Sequence, residues 1–284
     1  THRSGCAMYL ANARISERST RRMRRSLGLA RSLLARFSRI LAQDSQIADR
    51  FKSLGAPAAR VDITGSLKES AAPLPVDADA LKSFGGKLAG KQVWLAASTH
   101  PGEETIIAEA HRHARRVAHG LILILAPRHP ERGDEIAADL RSAGWRVAQR
   151  SRGEALERDT EIYLADTLGE MGLWYRLAPL SFIGGSIVDI GGHNPYEPAL
   201  LGSAIMHGPH IHNFETAYAR FAAADAAIRV PGAGDLGRLL VETLPANRTA
   251  ILASHAWHVT SEGSDVAQKL CEMLLSHIPA EPAP

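Results

Sequence analysis

Several apolar runs in this chain end in residues suited to holding an anion. The run Leu121 to Ala126 leads into Pro127-Arg128-His129-Pro130. Pro130 suits the first position of a helix, which leaves Arg128 free to face the strand ends. Its guanidinium is a planar fork of donors that matches phosphate oxygens; the plain alternative is an exposed arginine solvating a loop. A second run, Ile162 to Ala165, leads into Asp166-Thr167-Leu168-Gly169-Glu170-Met171-Gly172. Thr167 and Glu170 fit the S/T-x-x-E capping box, so helix capping alone explains both. The functional reading is that Gly169 lets a ligand approach the backbone while helix-start N–H groups receive an anion or a base edge.

A third run, Ser181 to Gly184, continues through Gly185-Ser186 to Gly191-Gly192-His193-Asn194-Pro195-Tyr196-Glu197-Pro198. Asn194 is expected to cap a helix, Pro195 to be its first residue and Glu197 to complete a box. Four glycines so close together exceed what one helix start requires. A carboxylate beside them is well placed to accept hydrogen bonds from ribose hydroxyls, so ligand binding is the favoured reading here. Ser98-Thr99-His100-Pro101 follows a further run, with Glu103 and Glu104 in the first turn of the next helix, where negative charge is favourable.

Other signals are set aside. Gly85 to Lys91 spells G-x-x-x-x-G-K, but Gln92 stands where a phosphate-binding loop carries Ser or Thr, and the segment precedes a strand. His207, His210 and His212 cluster around Gly208-Pro209 without helical spacing and without a cysteine or carboxylate to complete a metal set. The arginine-rich segment has no interleaved aromatic residues and no base-reading module, so nucleic acid is not an expected partner.

The elements that position these residues follow an alternation of strand-length apolar runs and amphipathic helices, the pattern of βα units in a parallel sheet. Strands are expected at Met8 to Ala11, Arg39 to Ala42 and Val61 to Thr64, and helices at Ser16 to Arg25 and Ser45 to Leu54. After the proline-rich Ala71 to Pro75 come a helix at Leu81 to Leu88 and strands at Val93 to Ala97, Leu121 to Ala126, Val147 to Gln149, Ile162 to Ala165, Ser181 to Gly184 and Ala204 to His207. Open α/β sheets bind ligands at the carboxyl ends of their strands, which is where the candidate residues fall.

At 284 residues the chain suits one large or two modest domains, and 45% hydrophobic with 22% charged residues is ordinary globular composition. The two cysteines, Cys6 and Cys271, form neither a disulfide framework nor a metal motif. No run approaches a membrane-spanning length. Net charge is only +3, yet nine arginines fall between Arg14 and Arg39 with Glu17 as their sole acidic neighbour, which points to an anionic partner.

Together the motifs resemble the Kdo (3-deoxy-D-manno-octulosonic acid) transferases. The resemblance runs through Asn12-Ala13-Arg14-Ile15-Ser16-Glu17-Arg18-Ser19, Thr64-Gly65-Ser66-Leu67-Lys68, Ala96-Ala97-Ser98-Thr99-His100, Pro127 to Arg132, Gly169-Glu170-Met171, and Gly184 to Pro198 up to Asn213-Phe214. It implies an α/β fold of the GT-B glycosyltransferase class, with part of an N-terminal Rossmann-like domain and a complete C-terminal one. It implies transfer of Kdo from CMP-Kdo to a hydroxyl of the lipid A precursor, lipid IVA, with inversion at the anomeric carbon and no cofactor or metal. By the same resemblance Pro127, Arg128, Gly169, Glu170, Met171, Asn194, Pro195, Tyr196 and Glu197 would hold the CMP moiety, and Lys68 would stabilise the transition state.

The family's catalytic base is a glutamate expected upstream of Thr1, so none is assigned and the chain is expected to be N-terminally truncated, leaving it inactive alone. The expected domains are 1–70, a linker at 71–75, a CMP-sugar-binding domain at 76–262, a C-terminal helix at 263–278 that packs back on the first domain, and a tail at 279–284. The family further implies the cytoplasmic face of the bacterial inner membrane, with a peripheral attachment for this chain. The alternative is a catalytically inactive CMP-binding module; a GT-B-like nucleotide-sugar epimerase fits the motifs poorly.

Overall fold

The computed structural model describes residues 7–65 and 73–275, with side chains throughout except at 262–270 and 273–274. Lys68 and the start of the expected linker lie outside the described residues. The chain divides into two compact units, one formed by Thr1–Ala71 with Ser261–Pro284 and the other by Ala72–Thr260.

In the first unit, β1 (Tyr9–Ala13), β2 (Arg39–Ala42) and β3 (Val61–Ile63) form a parallel sheet in that order. Helices α1 (Glu17–Arg24) and α2 (Leu27–Leu34) connect β1 to β2, and α3 (Ser45–Ser53) precedes β3. Side-chain oxygens start two of them: Ser16 accepts from the Ser19 N–H at 3.2 Å and Asp44 from the Ile47 N–H at 2.7 Å. The core gathers Ile40, Ala42, Ile47, Phe51 and Leu54, with Ala30 and Leu34 from α2. Helix α2 was not expected. It buries only Ala30 and Leu34, one turn apart, and leaves Leu27, Leu29 and Leu33 exposed, so its apolar residues do not trace one clean stripe.

The second unit opens with α4 (Ala78–Leu88) and alternates β4 (Val93–Thr99), α5 (Glu103–Arg115), β5 (Ile122–Pro127), α6 (Gly133–Ser142), β6 (Val147–Gln149) and β7 (Ile162–Leu164). It continues through α7 (Met171–Leu177), β8 (Leu180–Ile183), α8 (Tyr196–Leu200), β9 (Ala204–His207), α9 (Glu215–Ala223), β10 (Ala227–Arg229), α10 (Leu236–Thr243) and, as far as Thr260, α11 (Ala246–Leu275), whose remainder from Ser261 belongs to the first unit. Over 263–275 the expected helix at 263–278 is the later part of α11, which begins at Ala246, and 276–278 lie outside the described residues. Gly85 and Gly86, of the discounted phosphate-loop spelling, lie inside α4.

All seven strands of this sheet are parallel, in the order β10-β9-β8-β4-β5-β7-β6. Successive side chains on a strand point to opposite faces. Val93, Leu95 and Ala97 therefore pack with Phe84, Tyr163 and Trp174 on one side, while Trp94 and Ala96 pack with Ile107, Leu123 and Phe182 on the other. Burial on both faces is what a parallel sheet flanked by helices demands. The chain runs outward from β4 through β5 to the edge strand β6, comes back to lay β7 between β5 and β6, and then crosses to the other side of β4 to place β8. The reversal makes the carboxyl ends of β4 and β8 a topological switch point, where such sheets bind ligands.

Candidate nucleotide site at the strand ends

The floor of the switch point is built by a buried carboxylate. Glu103, in the first turn of α5 and 0% exposed, accepts four backbone N–H bonds. His100 N–H and Gly185 N–H reach Oε2 at 3.0 and 2.6 Å, and Ser186 N–H and Ile187 N–H reach Oε1, each at 3.0 Å. The side chain read from sequence as a helix-dipole partner therefore ties the glycine loop after β8 to the end of β4. Its neighbour Glu104 accepts from Thr99 Oγ1 at 3.2 Å and pairs with Arg132 at 2.8 Å. A buried pair of this kind fixes geometry more than it adds stability.

On this floor two imidazoles meet edge to edge. His100 and His193 lie 5.1 Å apart between ring centroids and within 7° of parallel, with their Nε2 atoms 2.9 Å apart. They rest over Gly185, whose φ is +63° and where a Cβ would meet His193 Nε2 at 3.1 Å. Tyr218 Oη donates to the His193 carbonyl at 3.0 Å, fixing that side of the loop.

Beside them, Pro127 closes β5 and is buried, and the next residue, Arg128, is exposed. Among the described residues no hydrogen bond or ion pair engages the Arg128 guanidinium. Arg128 is close enough to depress the basicity of both His100 and His193, so its charge lies at the switch point.

Further along, Asn194 Oδ1 accepts from the Tyr196 N–H at 3.0 Å, and Pro195 has helical backbone angles. Glu197 does not complete the expected box: its carboxylate accepts from the Asn194 side-chain amide at 3.1 Å and does not reach back to the backbone. Burial raises the Glu197 carboxyl above the usual range, and the Asn194 bond offsets part of that rise. Tyr196 is 3% exposed and its ring packs edge-on against Phe221 at 5.5 Å, so its side chain belongs to the core.

At the end of β7 the expected capping box is also replaced. Thr167 Oγ1 donates to the Glu170 carboxylate itself, and that carboxylate takes a two-pronged contact from Arg150, with Nε at 3.1 Å and Nη2 at 2.6 Å. The Arg150 guanidinium lies 5.3 Å over the Phe84 ring. This holds the Glu170 carboxyl below its ordinary value, chiefly through the Arg150 hydrogen bond. Gly169 has φ +82° with open space where a Cβ would stand, and Met171 starts α7 half-buried against the core. Sequence reasoning missed Arg150; a basic residue at a strand end was its only signal.

The discounted histidines resolve differently. His207 Nδ1 donates to the Gly208 carbonyl at 2.7 Å and its ring tilts against Tyr218, while His210 and His212 face Asp189 at 3.2 and 3.7 Å.

Two Rossmann-like α/β units, one with an anion-ready switch point, define a GT-B-class glycosyltransferase fold; a glycosyltransferase structure from Rickettsia africae shares it at 10% identity, with a TM-score of 0.52 over 95% of this chain and 69% of that one. The structure of the C-terminal CMP-Kdo binding domain of WaaA from Acinetobacter baumannii matches at 32% identity, with a TM-score of 0.59, over 64% of this chain and 98% of that one. The profile of the 3-Deoxy-D-manno-octulosonic-acid transferase (kdotransferase) family matches residues 1–71. The chain belongs to the Kdo transferase family, as its motifs implied. Curated relatives named as 3-deoxy-D-manno-octulosonic acid transferases include those of Haemophilus influenzae, 31% identical over 95% of this chain, and Bordetella pertussis, 35% identical over 92%. This chain spans less than two thirds of those relatives, 64% and 62% of their lengths.

Proposed function

We propose that this chain holds CMP-Kdo for transfer of Kdo to a hydroxyl of the lipid A precursor, lipid IVA. The observation that carries the reading is the switch point itself, where a guanidinium without a described partner follows β5 and, on the other side of β4, a glycine loop follows β8 and leads to a half-buried carboxylate in α8. Pro127 and Arg128 would receive the phosphate, Gly169-Glu170-Met171 the base edge, and Asn194 to Glu197 the ribose, with Tyr196 contributing backbone only. The likeness to a domain described as binding CMP-Kdo supports this assignment.

Transfer would invert the anomeric carbon. The acceptor hydroxyl gives its proton to a general base as its oxygen forms the bond to that carbon and the bond to the CMP phosphate breaks, and no covalent enzyme intermediate intervenes. Lys68 would balance the charge of departing CMP. The acceptor side would meet an anionic bilayer at the cytoplasmic face of the inner membrane. Support comes from α1 and α2, where Leu27, Leu29 and Leu33 are 46%, 73% and 47% exposed amid exposed Arg18, Arg22, Arg24, Arg25, Arg31 and Arg36.

The test is incubation with CMP-Kdo and lipid IVA, followed by mass spectrometry of the lipid. A Kdo adduct supports the whole reading. Binding of CMP with no adduct limits this chain to the alternative, a catalytically inactive nucleotide-binding module, and a folded chain that binds no CMP contradicts both.

A further inference from the structure

The paired imidazoles have no role in the contacts assigned to phosphate, base and ribose. His100 directly follows β4 and is 8% exposed, and His193 reaches it from the loop after β8, 93 residues later. At 2.9 Å, two nitrogens with bare lone pairs repel, so a proton lies between them and one ring donates to the other.

That geometry fixes what the outer nitrogens carry. In the neutral pair the ring that donates through Nε2 has a bare Nδ1, and the ring that accepts has a protonated Nδ1. One further proton, taken at the bare Nδ1, gives a monocation with an N–H donor on both outer edges. Among the described residues no hydrogen bond engages either Nδ1.

The surrounding charges favour an anion here. Arg128 and His129 bear on both rings, and the His129 ring meets His100 edge-on at 5.7 Å. The acidic groups facing His100 are Glu103 and Glu104. Glu103 is fully engaged by its four N–H donors, and Glu104 is paired with Arg132.

We propose that His100 and His193 form a proton-coupled subsite for an anionic oxygen of the donor, either the CMP phosphate or the carboxylate of the sugar acid, and gain one proton as it binds. This rests on the CMP-binding reading. Burial, then the neighbouring His100 and Arg128, hold His193 down at about 4 in the free protein, and burial likewise lowers His100. An opposite charge within ~4–6 Å raises such a group by about 1–3 units. Binding is therefore strengthened as pH falls through the raised value toward about 4.

The test is calorimetric titration of wild type and His193→Gln with CMP, cytidine and free Kdo at about pH 5.5 and about pH 7.5. For a rise of about two units, wild-type affinity gains about fourfold at the lower pH relative to the variant. Ionisation of the CMP phosphate, near pH ~6, affects both proteins alike and cancels. An excess with CMP but not cytidine assigns the phosphate, and an excess with Kdo assigns the carboxylate; either supports the proposal. Equal pH dependence in wild type and variant for every ligand overturns it.

Should His193→Gln fail to fold, imidazole ¹⁵N shifts of the wild type decide the matter. A bare Nδ1 that becomes protonated on adding CMP or Kdo supports the subsite, and unchanged shifts overturn it. Failure of the folded wild type to bind CMP defeats the nucleotide reading itself, whereas CMP binding without the histidine-dependent excess defeats this inference alone.

Discussion

Removing the Glu103 carboxylate is expected to unfasten the glycine loop. Its two oxygens accept four backbone N–H groups at 2.6–3.0 Å in a site with no solvent exposure. A hydrogen bond to a charged group contributes about 1.5–3 kcal/mol, but water and loop relaxation recover part of it in a truncated variant. We therefore set the loss for Glu103→Ala at about 4 kcal/mol, in line with the ~3–5 kcal/mol of breaking a buried charged contact. For a domain of this size, ~2–4 °C per kcal/mol gives a fall of about 8–16 °C in Tm, read by calorimetry. Glu103→Gln keeps one acceptor oxygen but turns an NH₂ group toward two N–H donors, so it should fold, melt between the two and bind CMP at least about tenfold more weakly. A Glu103→Ala protein melting within about 2 °C of wild type, with unchanged amide exchange at Gly185 to Ile187, would refute the reasoning.

Three further outcomes follow from the same contacts. Glu197 has its carboxyl raised by burial, so its contribution to stability is present below the usual carboxylate range and lost as pH rises through the raised value. Glu197→Gln should thus melt about 2 °C higher at neutral pH while binding CMP more weakly, a split visible by measuring Tm and Kd together. Glu170 has the opposite sign: its lowered carboxyl stabilises above the usual range and loses that as pH falls, so Arg150→Ala should cost about 1 kcal/mol at pH ~7 and less once the carboxyl is protonated and only the Phe84 contact is lost, read by urea unfolding at both pH values. His111, buried between Trp94 Nε1–H at 3.1 Å and the Glu161 carbonyl at 3.1 Å, is pushed down to about 3 by burial. The unfolded chain takes its proton first, so stability should fall steadily from about pH 6.5 toward pH 3, and His111→Gln should flatten that slope in acid titrations followed by tryptophan fluorescence.

What the sequence made legible was local. Arg39 to Ala42, Val147 to Gln149 and Ala204 to His207 are β-rich runs bounded by polar or turn residues, and all three form strands over those residues. The run Ala227 to Arg229 is only three residues long and carries no fully buried side chain, so nothing marked it as a seventh strand. The helix α11 begins at Ala246, where no capping side chain or proline-to-helix boundary stronger than Pro245 announces it. The candidate motifs were legible as residue types at strand ends, but their partners were not. Glu103 reads as a first-turn acid because its loop donors lie 82–84 residues away, and the His100–His193 contact spans 93. Two predicted capping boxes turned into side-chain contacts, since Glu170 found Arg150 and Thr167, and Glu197 found the Asn194 amide. Spacing alone cannot rank such tertiary partners against a local backbone N–H.

CMP is proposed to bind at the switch point between β4 and β8. Calorimetric titration of the chain with CMP, beside Arg128→Ala and Asn194→Ala proteins shown to be folded, tests it most directly. Saturable binding is expected, about ten- to a hundredfold weaker in Arg128→Ala, from the loss of a charge-assisted contact of ~1.5–3 kcal/mol. A folded wild type that takes up no CMP, or one whose affinity is untouched in both variants, would contradict the account.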